Sequence, residues 1–421
     1  MGWRILVGRN RVVARSPRYM TRFACVGSAC EENCCHGWSV SIDKATFTRY
    51  RDSKDPKLAE RFRQHIERRK GSGNPTRDYA RIKLADNLQC PFLAADALCE
   101  IQSRLGAKSL SSTCAHYPRH YLKEHNEVSA FATLSCPEAA RQALLFADAM
   151  DLVEHPLDAA NVSALPMSGG VAADIAERGN LQMQAKQMLR EAALRILRNP
   201  IISAVDALIL IGLLTKRVAA GVENQEGVAI VASIRMFTAP DTIADVSRWV
   251  GALVTDCTVQ MLLLKEITVE YLLTVRGRPS FVQQVTQALS GFAYSDGDVA
   301  GSRDRYREAA QHWFCPFDQA HPHLLKNYLI NEVSKSLFPF PTREIEDQYF
   351  DMAIRFGMIQ MYLIGLSGKL RDGFSEKAYV DIIYTFCRNI EHNQSFMPHV
   401  LDLLRDNGFL NMATIATLLR T

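Results

Sequence analysis

Residues 25–38 read CVGSACEENCCHGW, a stretch that contains the four cysteines Cys25, Cys30, Cys34 and Cys35. Thiolates a few residues apart in a loop or a first helical turn can converge on one metal centre. The adjacent Cys34 and Cys35 cannot easily point the same way on a regular element, so we expect at least one of them to face elsewhere. The stretch therefore predicts a small N-terminal module that is organised by metal ligands.

Four further cysteines extend this group along the chain, and they are Cys90, Cys99, Cys114 and Cys136. The first residues, MGWRILVGRNRVVARS, lack the apolar core of a signal peptide, and no uncharged apolar run of about 18 residues follows. We therefore predict a cytoplasmic protein that does not enter a membrane. Because cytosolic thiols stay reduced, the eight cysteines predict metal binding rather than disulfides. Cys257 and Cys387 fall in apolar patterns and are expected to be buried in a core.

The identity of the metal stays open on spacing alone. Thiolate-rich sites select zinc, Cu(I) or iron–sulfur clusters. A zinc ribbon would show CxxC pairs, which this sequence lacks, and this favours a cluster whose ligands come from distant loops. Cys30 and Cys34 match the first step of a C-x3-C-x2-C triad, but position 37 is glycine. One or two sites are possible, and chance enrichment of buried thiols is the structural alternative.

The charge distribution is uneven along the chain. Of its 421 residues, 48% are hydrophobic and 22% are charged, which is typical of a globular protein. Residues 1–85 hold 19 Lys and Arg against 8 Asp and Glu, although the net charge of the chain is only +4. Nucleic-acid binding is one interpretation of such a segment. The interleaved acids favour a solvated helix face instead, so we predict no nucleic-acid partner.

The fold class predicted from the sequence is mainly α. We expect a cysteine-rich loop and helix module over residues 1–160 and an all-helical domain over 175–421, joined near SALPMSGGVA at 163–172. Asp43 is placed to cap a helix, and Leu181, Leu189 and Ile196 mark the apolar face of another. No GxGxxG follows a predicted strand, so we expect no Rossmann fold.

Several motifs resemble one protein family. They are the stretch from Tyr19 to Ile42, CPFLAADALCEIQ at 90–102, TCAHYPR at 113–119, KNYLINE from Lys326 to Glu332, LFPF from Leu337 to Phe340, and EHN from Glu391 to Asn393. Together they resemble the flagellin lysine-N-methylases of the FliB family, and the cysteine module also resembles small zinc- or iron-chelating proteins. The resemblance implies an S-adenosylmethionine-dependent enzyme that methylates flagellin lysines and carries an iron–sulfur cluster of the 4Fe–4S type.

Candidate catalytic residues lie in the resembling helix. A lysine amine must be neutral to accept a methyl group, whereas its ordinary pKa is about 10.4. Tyr328, Asn331 and Glu332 are three or four residues apart and share one helix face, so they could orient and deprotonate the amine. A buried polar face without catalytic function is the structural alternative.

The metal-ligand predictions fall into two ranks. We expect Cys30, Cys34, Cys90, Cys99 and Cys114 to be ligands first, with Cys25, Cys35 and Cys136 behind them. The competing function is a non-catalytic protein that chelates zinc or iron, with the helical half as an interaction scaffold.

Overall fold

The computed structural model describes residues 11–38, 40–69, 78–124, 127–158, 180–252, 256–274, 278–339 and 343–420. The chain divides into two compact units, Met1–Ala139 with Asp151–Ala173 and Ala140–Met150 with Asp174–Thr421. The predicted linker at 163–172 lies outside the described residues.

The first unit contains two small sheets, which the sequence analysis did not predict. In chain order its strands are β1 (Arg11–Pro17), β2 (Ser41–Ile42), β3 (Ile66–Arg68), β4 (Ala80–Ile82), β5 (Arg119–Glu124), β6 (Glu127–Ala132) and β7 (Leu152–Asp158). One sheet has the order β5-β6-β1-β7, with β1 parallel to β6 and antiparallel to β7. The other has the order β2-β4-β3. The prediction of a loop and helix module was therefore incomplete. The strands of the smaller sheet, β2, β3 and β4, have only two or three residues and carry little periodic signal.

Short helices complete the first unit, and one crosses the boundary between the units. They are α1 (Tyr19–Arg22), α2 (Lys44–Arg51), α3 (Leu58–His65), α4 (Glu100–Leu105), α5 (Ser112–His116) and α6 (Pro137–Leu144). Asp43 caps α2 by accepting a hydrogen bond from the N–H of Thr46, as predicted. A core that includes Tyr50, Phe62 and Phe92 packs these helices against the smaller sheet. The Tyr50 and Phe62 rings stack with their centroids 4.3 Å apart.

Arginines of the basic segment pair with its interleaved acids. Arg63 lies 2.6 Å from Glu60, and Arg81 lies 3.1 Å from Glu67. Both pairs are largely exposed, and solvent screens such pairs, so neither adds much to stability. The ion pairs agree with the interpretation of this segment as a solvated surface.

The second unit is helical throughout its described residues. Its helices are α7 (Leu181–Leu197), α8 (Ala204–Glu223), α9 (Gly227–Phe237), α10 (Pro240–Ala252), α11 (Cys257–Thr274), α12 (Pro279–Gly291), α13 (Val299–Ala309), α14 (Cys315–Ala320), α15 (His323–Lys335), α16 (Ile345–Leu370), α17 (Glu376–Phe386), α18 (Phe396–Asp406) and α19 (Met412–Leu419). The prediction of a helical C-terminal half is confirmed. Cys257 and Cys387 are buried, also as predicted.

No described helix has by itself the length and apolar composition to cross a bilayer. Only α9 and α10 taken together meet both criteria, and their axes meet at 70°.

The long helix α16 is the centre of the second unit, and it crosses α12 in close backbone contact. A Cβ atom at Gly365 would overlap the carbonyl oxygen of Ala288, and one at Gly291 would overlap the carbonyl oxygen of Gly365. Backbone atoms cannot move away as a flexible side chain can. The crossing therefore requires glycine at both positions.

Replacing Gly365 by alanine is expected to lower the free energy of unfolding by about 1–3 kcal/mol through overpacking. Gly251→Ala is the matched control, because a Cβ atom there meets nothing within 4 Å. Alanine favours the helical conformation over glycine, so this control should be stabilised by up to about 1 kcal/mol. Urea unfolding followed by circular dichroism measures both changes. Equal stability of the two variants would contradict the close crossing.

Candidate functional site

Five cysteines surround one cavity in the first unit. The cavity has a volume of about 30 Å³, which exceeds the ~10–15 Å³ that one water molecule needs. Its wall consists of Cys34, Cys35, Trp38, Val40, Tyr50, Ile82, Leu84, Cys90, Phe92, Cys99, Ile101, Leu110, Cys114 and Tyr117. No carboxylate or imidazole is among these residues, so sulfur supplies the soft donor atoms.

Backbone pairing between two distant loops brings the first three thiols together. The N–H of Cys90 donates to the carbonyl oxygen of Cys35 at 2.8 Å, and His36 forms a β-bridge with Gln89. The N–H of Cys35 donates in turn to the side chain of Asn33 at 3.0 Å. Because residues 34 and 35 lie in an irregular loop, the alternation of a strand does not apply to them. Both side chains line the cavity, and our expectation that one would face elsewhere was wrong.

The other two thiols lie at the starts of short helices. Cys99 immediately precedes α4, and the backbone N–H groups of Ile101 and Gln102 favour its thiolate form. Cys114 is in the first turn of α5, where its N–H donates to the Oγ of Ser111 at 3.3 Å. Helix starts of this kind are positions where a negatively charged sulfur is stabilised.

The thiols of the cavity shift one another's pKa values in opposite directions. Contacts with the Cys34 and Cys90 thiols, followed by burial, raise the pKa of Cys35 far above its ordinary value. The same contact with Cys35 lowers the pKa of Cys90. Burial raises the pKa of Cys114 to about 12 and also raises that of Cys99. A positive centre in the cavity would allow several thiolates to coexist there.

In the described part of the chain, no three His, Cys, Asp or Glu side chains stand ready to hold a single metal ion. The five cysteines instead surround a shared space.

The remaining three cysteines lie apart from the cavity wall. Cys136 interacts with Cys30 and Cys25, and burial raises its pKa to about 11. Cys30 was ranked among the first ligands, whereas the cavity contains Cys35 in its place. Spacing could not reveal this exchange, because it depends on the pairing of residues 35–36 with 89–90.

The predicted catalytic trio lies on helix α15 and is buried. Tyr328 and Asn331 are 0% exposed, and Glu332 is 2% exposed. Glu332 lies 2.6 Å from the Nζ of Lys335 and 3.3 Å from the Nη1 of Arg355. All three side chains of the trio are therefore buried, and Glu332 already has two cationic partners.

Sequence reasoning missed four residues that surround Glu332, namely Lys335, Asp351, Arg355 and Glu391. Glu391 approaches the Nζ of Lys335 at 2.9 Å and Arg355 at 3.5 Å, and Asp351 binds Arg355 at 3.0 Å. We name these five side chains, Glu332, Lys335, Asp351, Arg355 and Glu391, the ion cluster. The sequence did contain a hint of the ion cluster, because the motifs KNYLINE and EHN both contribute residues to it. The two motifs are about 60 residues apart, and no local pattern in the sequence connects them.

A π-helical turn positions Glu391. The turn spans Cys387–Glu391 and follows α17 directly. Backbone hydrogen bonds in a π-helical turn span five residues instead of four. The first and last residues of this turn meet at the ion cluster, where the Cys387 thiol donates to Glu391 Oε1 at 3.1 Å. Such turns occur frequently at functional sites.

Two of the three carboxylates of the ion cluster, Glu332 and Glu391, have opposite pKa shifts. Burial and then the charge of Glu391 raise the pKa of Glu332. Burial also acts on Glu391, but Lys335 and Arg355 outweigh it and lower its pKa to about 2. A proton added to this pair therefore goes first to Glu332.

Comparison with known proteins connects the second unit to a family. The profile described as "FliB lysine N-methylase C-terminal domain" matches residues 190–418. The chain belongs to the FliB lysine N-methylase family. The matched range contains α15, α16 and the π-helical turn, and hence the whole ion cluster. The eight cysteines of the N-terminal group lie before it.

Individual members of this family are similar over part of the chain. A Lysine-N-methylase of Salmonella typhimurium is 37% identical over 159 residues, which is 38% of this chain and 39% of that protein. The Lysine-N-methylase of Salmonella choleraesuis is 36% identical over the same length. The flagellar biosynthetic protein FliU of Salmonella muenchen is 38% identical over 146 residues, which is 34% of this chain and 85% of FliU. The chain thus spans about two fifths of the lysine-N-methylases it matches, and no solved structure matches it.

Proposed function

We propose that this protein is an S-adenosylmethionine-dependent lysine N-methyltransferase that acts on flagellin and carries an iron–sulfur cluster. Membership in the FliB lysine N-methylase family is the observation that carries the proposal. The names of its relatives support the activity, and the name of FliU supports a connection with the flagellum.

Methyl transfer to lysine removes one proton, forms one N–C bond and breaks one S–C bond. The lysine ammonium first loses a proton to a base, because only the neutral amine has a free electron pair. That pair forms the new N–C bond while the bond from sulfur to the methyl group breaks and its electrons stay on sulfur. Tyr328, Asn331 and Glu332 remain our candidates for holding the amine and taking its proton. Glu332 is the basic member, since burial raises its pKa.

The cysteine cavity is our candidate for the cluster site. Five thiols line it, which is enough to give each iron of a 4Fe–4S cluster one cysteine. Bound there, the cluster would hold the loops of residues 34–35, 90, 99 and 114 together as a structural crosslink. The apolar remainder of the wall, with Phe92 and Ile101, shields the sulfurs from water.

One experiment tests the function as a whole. Protein purified without oxygen is incubated with flagellin and methyl-labelled S-adenosylmethionine, and lysines are mapped by mass spectrometry. We expect labelled methyl-lysine and a brown protein that contains iron and sulfide. Absence of transfer by protein with an intact cluster would refute the activity.

A zinc-chelating protein is the second candidate, because zinc accepts the same sulfur ligands. It predicts colourless protein with bound zinc and without transfer.

A further inference from the structure

Two cysteines of the cavity wall face each other across a short antiparallel pairing. His36 forms a β-bridge with Gln89, and the N–H of Cys90 donates to the carbonyl oxygen of Cys35 at 2.8 Å. Cys35 and Cys90 are therefore opposite residues on the two paired segments. Opposite residues of an antiparallel pair direct their side chains to the same face. Both side chains accordingly line the cavity.

The spacing of this pair is suitable for a disulfide. Opposite residues of an antiparallel pair have Cα atoms about 4.5–5.5 Å apart. Disulfides join cysteines whose Cα atoms are about 4.4–6.8 Å apart. The Cys35 and Cys90 thiols are both free and contact each other. A bond between their sulfur atoms therefore requires no movement of either backbone segment.

Other cysteines of the cavity wall are less well placed. Cys34 and Cys35 are neighbours in the chain, and the Cα atoms of neighbours are about 3.8 Å apart, which is below the range of ordinary disulfides. Cys99 is paired with Leu93 in a second β-bridge, so a leucine and not a cysteine lies opposite it. Among the five cavity cysteines, all of which the structure describes, backbone pairing thus favours the bond between Cys35 and Cys90.

Cys35 is also the thiol that an iron–sulfur cluster would leave over. Five thiols line the cavity, whereas the four irons of a 4Fe–4S cluster take one cysteine each. Our first-ranked ligands in the cavity wall are Cys34, Cys90, Cys99 and Cys114. The fifth thiol therefore has no iron and lies against a ligand, Cys90.

We propose that Cys35 and Cys90 are a site of reversible oxidation, where hydrogen peroxide converts the two thiols to a disulfide in protein without the iron–sulfur cluster. Resting on the proposed function, this disulfide and the cluster exclude each other, because both use the Cys90 sulfur. The disulfide protects Cys90 from irreversible oxidation, and a thiol reductant returns Cys90 to the cluster site.

The oxidation balances with one molecule of hydrogen peroxide. The first sulfur, as a thiolate, forms an S–O bond while the O–O bond breaks, and the hydroxide that leaves takes up the thiol proton to become water. The second sulfur then forms the S–S bond while the S–O bond breaks, and the departing hydroxide takes the proton of the second thiol to become another water. The two thiols together lose two electrons, and the peroxide gains them.

Peptide mapping of the full chain tests the site. Iron is removed with a chelator, the thiols are reduced with dithiothreitol, the reductant is removed, and hydrogen peroxide is added. Mass spectrometry after tryptic digestion should find a disulfide between Cys35 and Cys90 that dithiothreitol releases. Fragment spectra assign the sulfur atoms, because residues 25–35 contain no Lys or Arg and stay in one peptide. Disulfides that join other cysteines in place of this pair would overturn the proposal.

Cys35→Ser and Cys25→Ser are the matched variants. Cys25 lies in the same tryptic peptide as Cys35, but it is exposed and outside the cavity wall. After peroxide and then dithiothreitol, Cys90 should return as a free thiol in Cys25→Ser. In Cys35→Ser no thiol lies opposite Cys90, and we expect loss of this thiol to sulfinic acid, which dithiothreitol does not reverse. Equal recovery of the Cys90 thiol in the two variants would remove Cys35 from the site.

Protein purified with its iron–sulfur cluster tests the exclusion. Peroxide is added in steps, and the visible absorbance of the cluster and the Cys35–Cys90 disulfide are measured in the same samples. We expect the disulfide-bonded fraction never to exceed the fraction of protein that has lost its cluster. Disulfide-bonded protein that retains its cluster would overturn the exclusion. A Cys35–Cys90 disulfide in protein that takes up no iron after reduction would leave the oxidation site and refute the proposed cluster.

Discussion

Replacing Cys114 by serine is expected to lower the bound iron and sulfide at least tenfold, because the four cavity cysteines that we ranked first as ligands, Cys34, Cys90, Cys99 and Cys114, would each bind one iron and Cys35 none. This thiol is buried in the cavity wall, and serine oxygen is a poor ligand where soft sulfur is required. Even changes to groups around a metal ligand cost roughly 10–100-fold in affinity, so loss of a ligand costs at least as much. Iron and acid-labile sulfide are measured together with the visible absorbance of anaerobic protein.

Cys136→Ser is the control for this prediction. Cys136 is also largely buried in the first unit, but it lies with Cys30 and Cys25 rather than at the cavity. We expect this variant to keep its iron and sulfide. Equal losses in Cys114→Ser and Cys136→Ser would show that the five-cysteine cavity is not the cluster site.

Replacing Arg355 by methionine should lower the free energy of unfolding by about 3–5 kcal/mol, the cost of removing one partner from a buried ion pair. Arg355 contacts Glu332, Asp351 and Glu391, and methionine would leave all three carboxylates with too little positive charge. Urea unfolding at pH 7, followed by the helical circular dichroism signal, measures the loss.

Arg405→Met provides the comparison, since its ion pair with Asp347 at 2.8 Å is 46% and 38% exposed. The expected loss there is below about 1 kcal/mol.

The stabilisation that Arg355 provides depends on pH, and the sign of this dependence is defined. Because the pKa of Glu391 is lowered to about 2, its stabilisation by the cations is present above pH ~4.5 and declines as the pH falls toward 2. The difference between wild type and Arg355→Met should therefore shrink at low pH. A constant difference would argue against the ion cluster.

Helical periodicity predicted that the second unit is helical, because helices such as α7 carry their apolar residues on one face. The caps of single helices were also readable, as Asp43 shows. Strands β2 and β4, with two and three residues, were not readable, because their pairing is defined only by contacts across the sheet.

In the candidate sites too, the local sequence predicted some features, whereas others depended on tertiary contacts. Residue types alone predicted thiolate chemistry, and helical spacing singled out Tyr328, Asn331 and Glu332, which are all buried. The sequence did not indicate that Cys35 rather than Cys30 lines the cavity, or that Glu391 belongs to the ion cluster. Both facts depend on contacts between distant segments, which no local pattern encodes. Contacts of this kind follow from the tertiary fold.

The pairing of β1 with β7 determines when the first unit can be completed during synthesis. Val13 lies opposite Pro156 in this ladder, so the strand made first waits until residues near 158 have left the ribosome. All eight cysteines of the N-terminal group are translated in that interval. The larger sheet therefore closes only after every cysteine of this group has been translated.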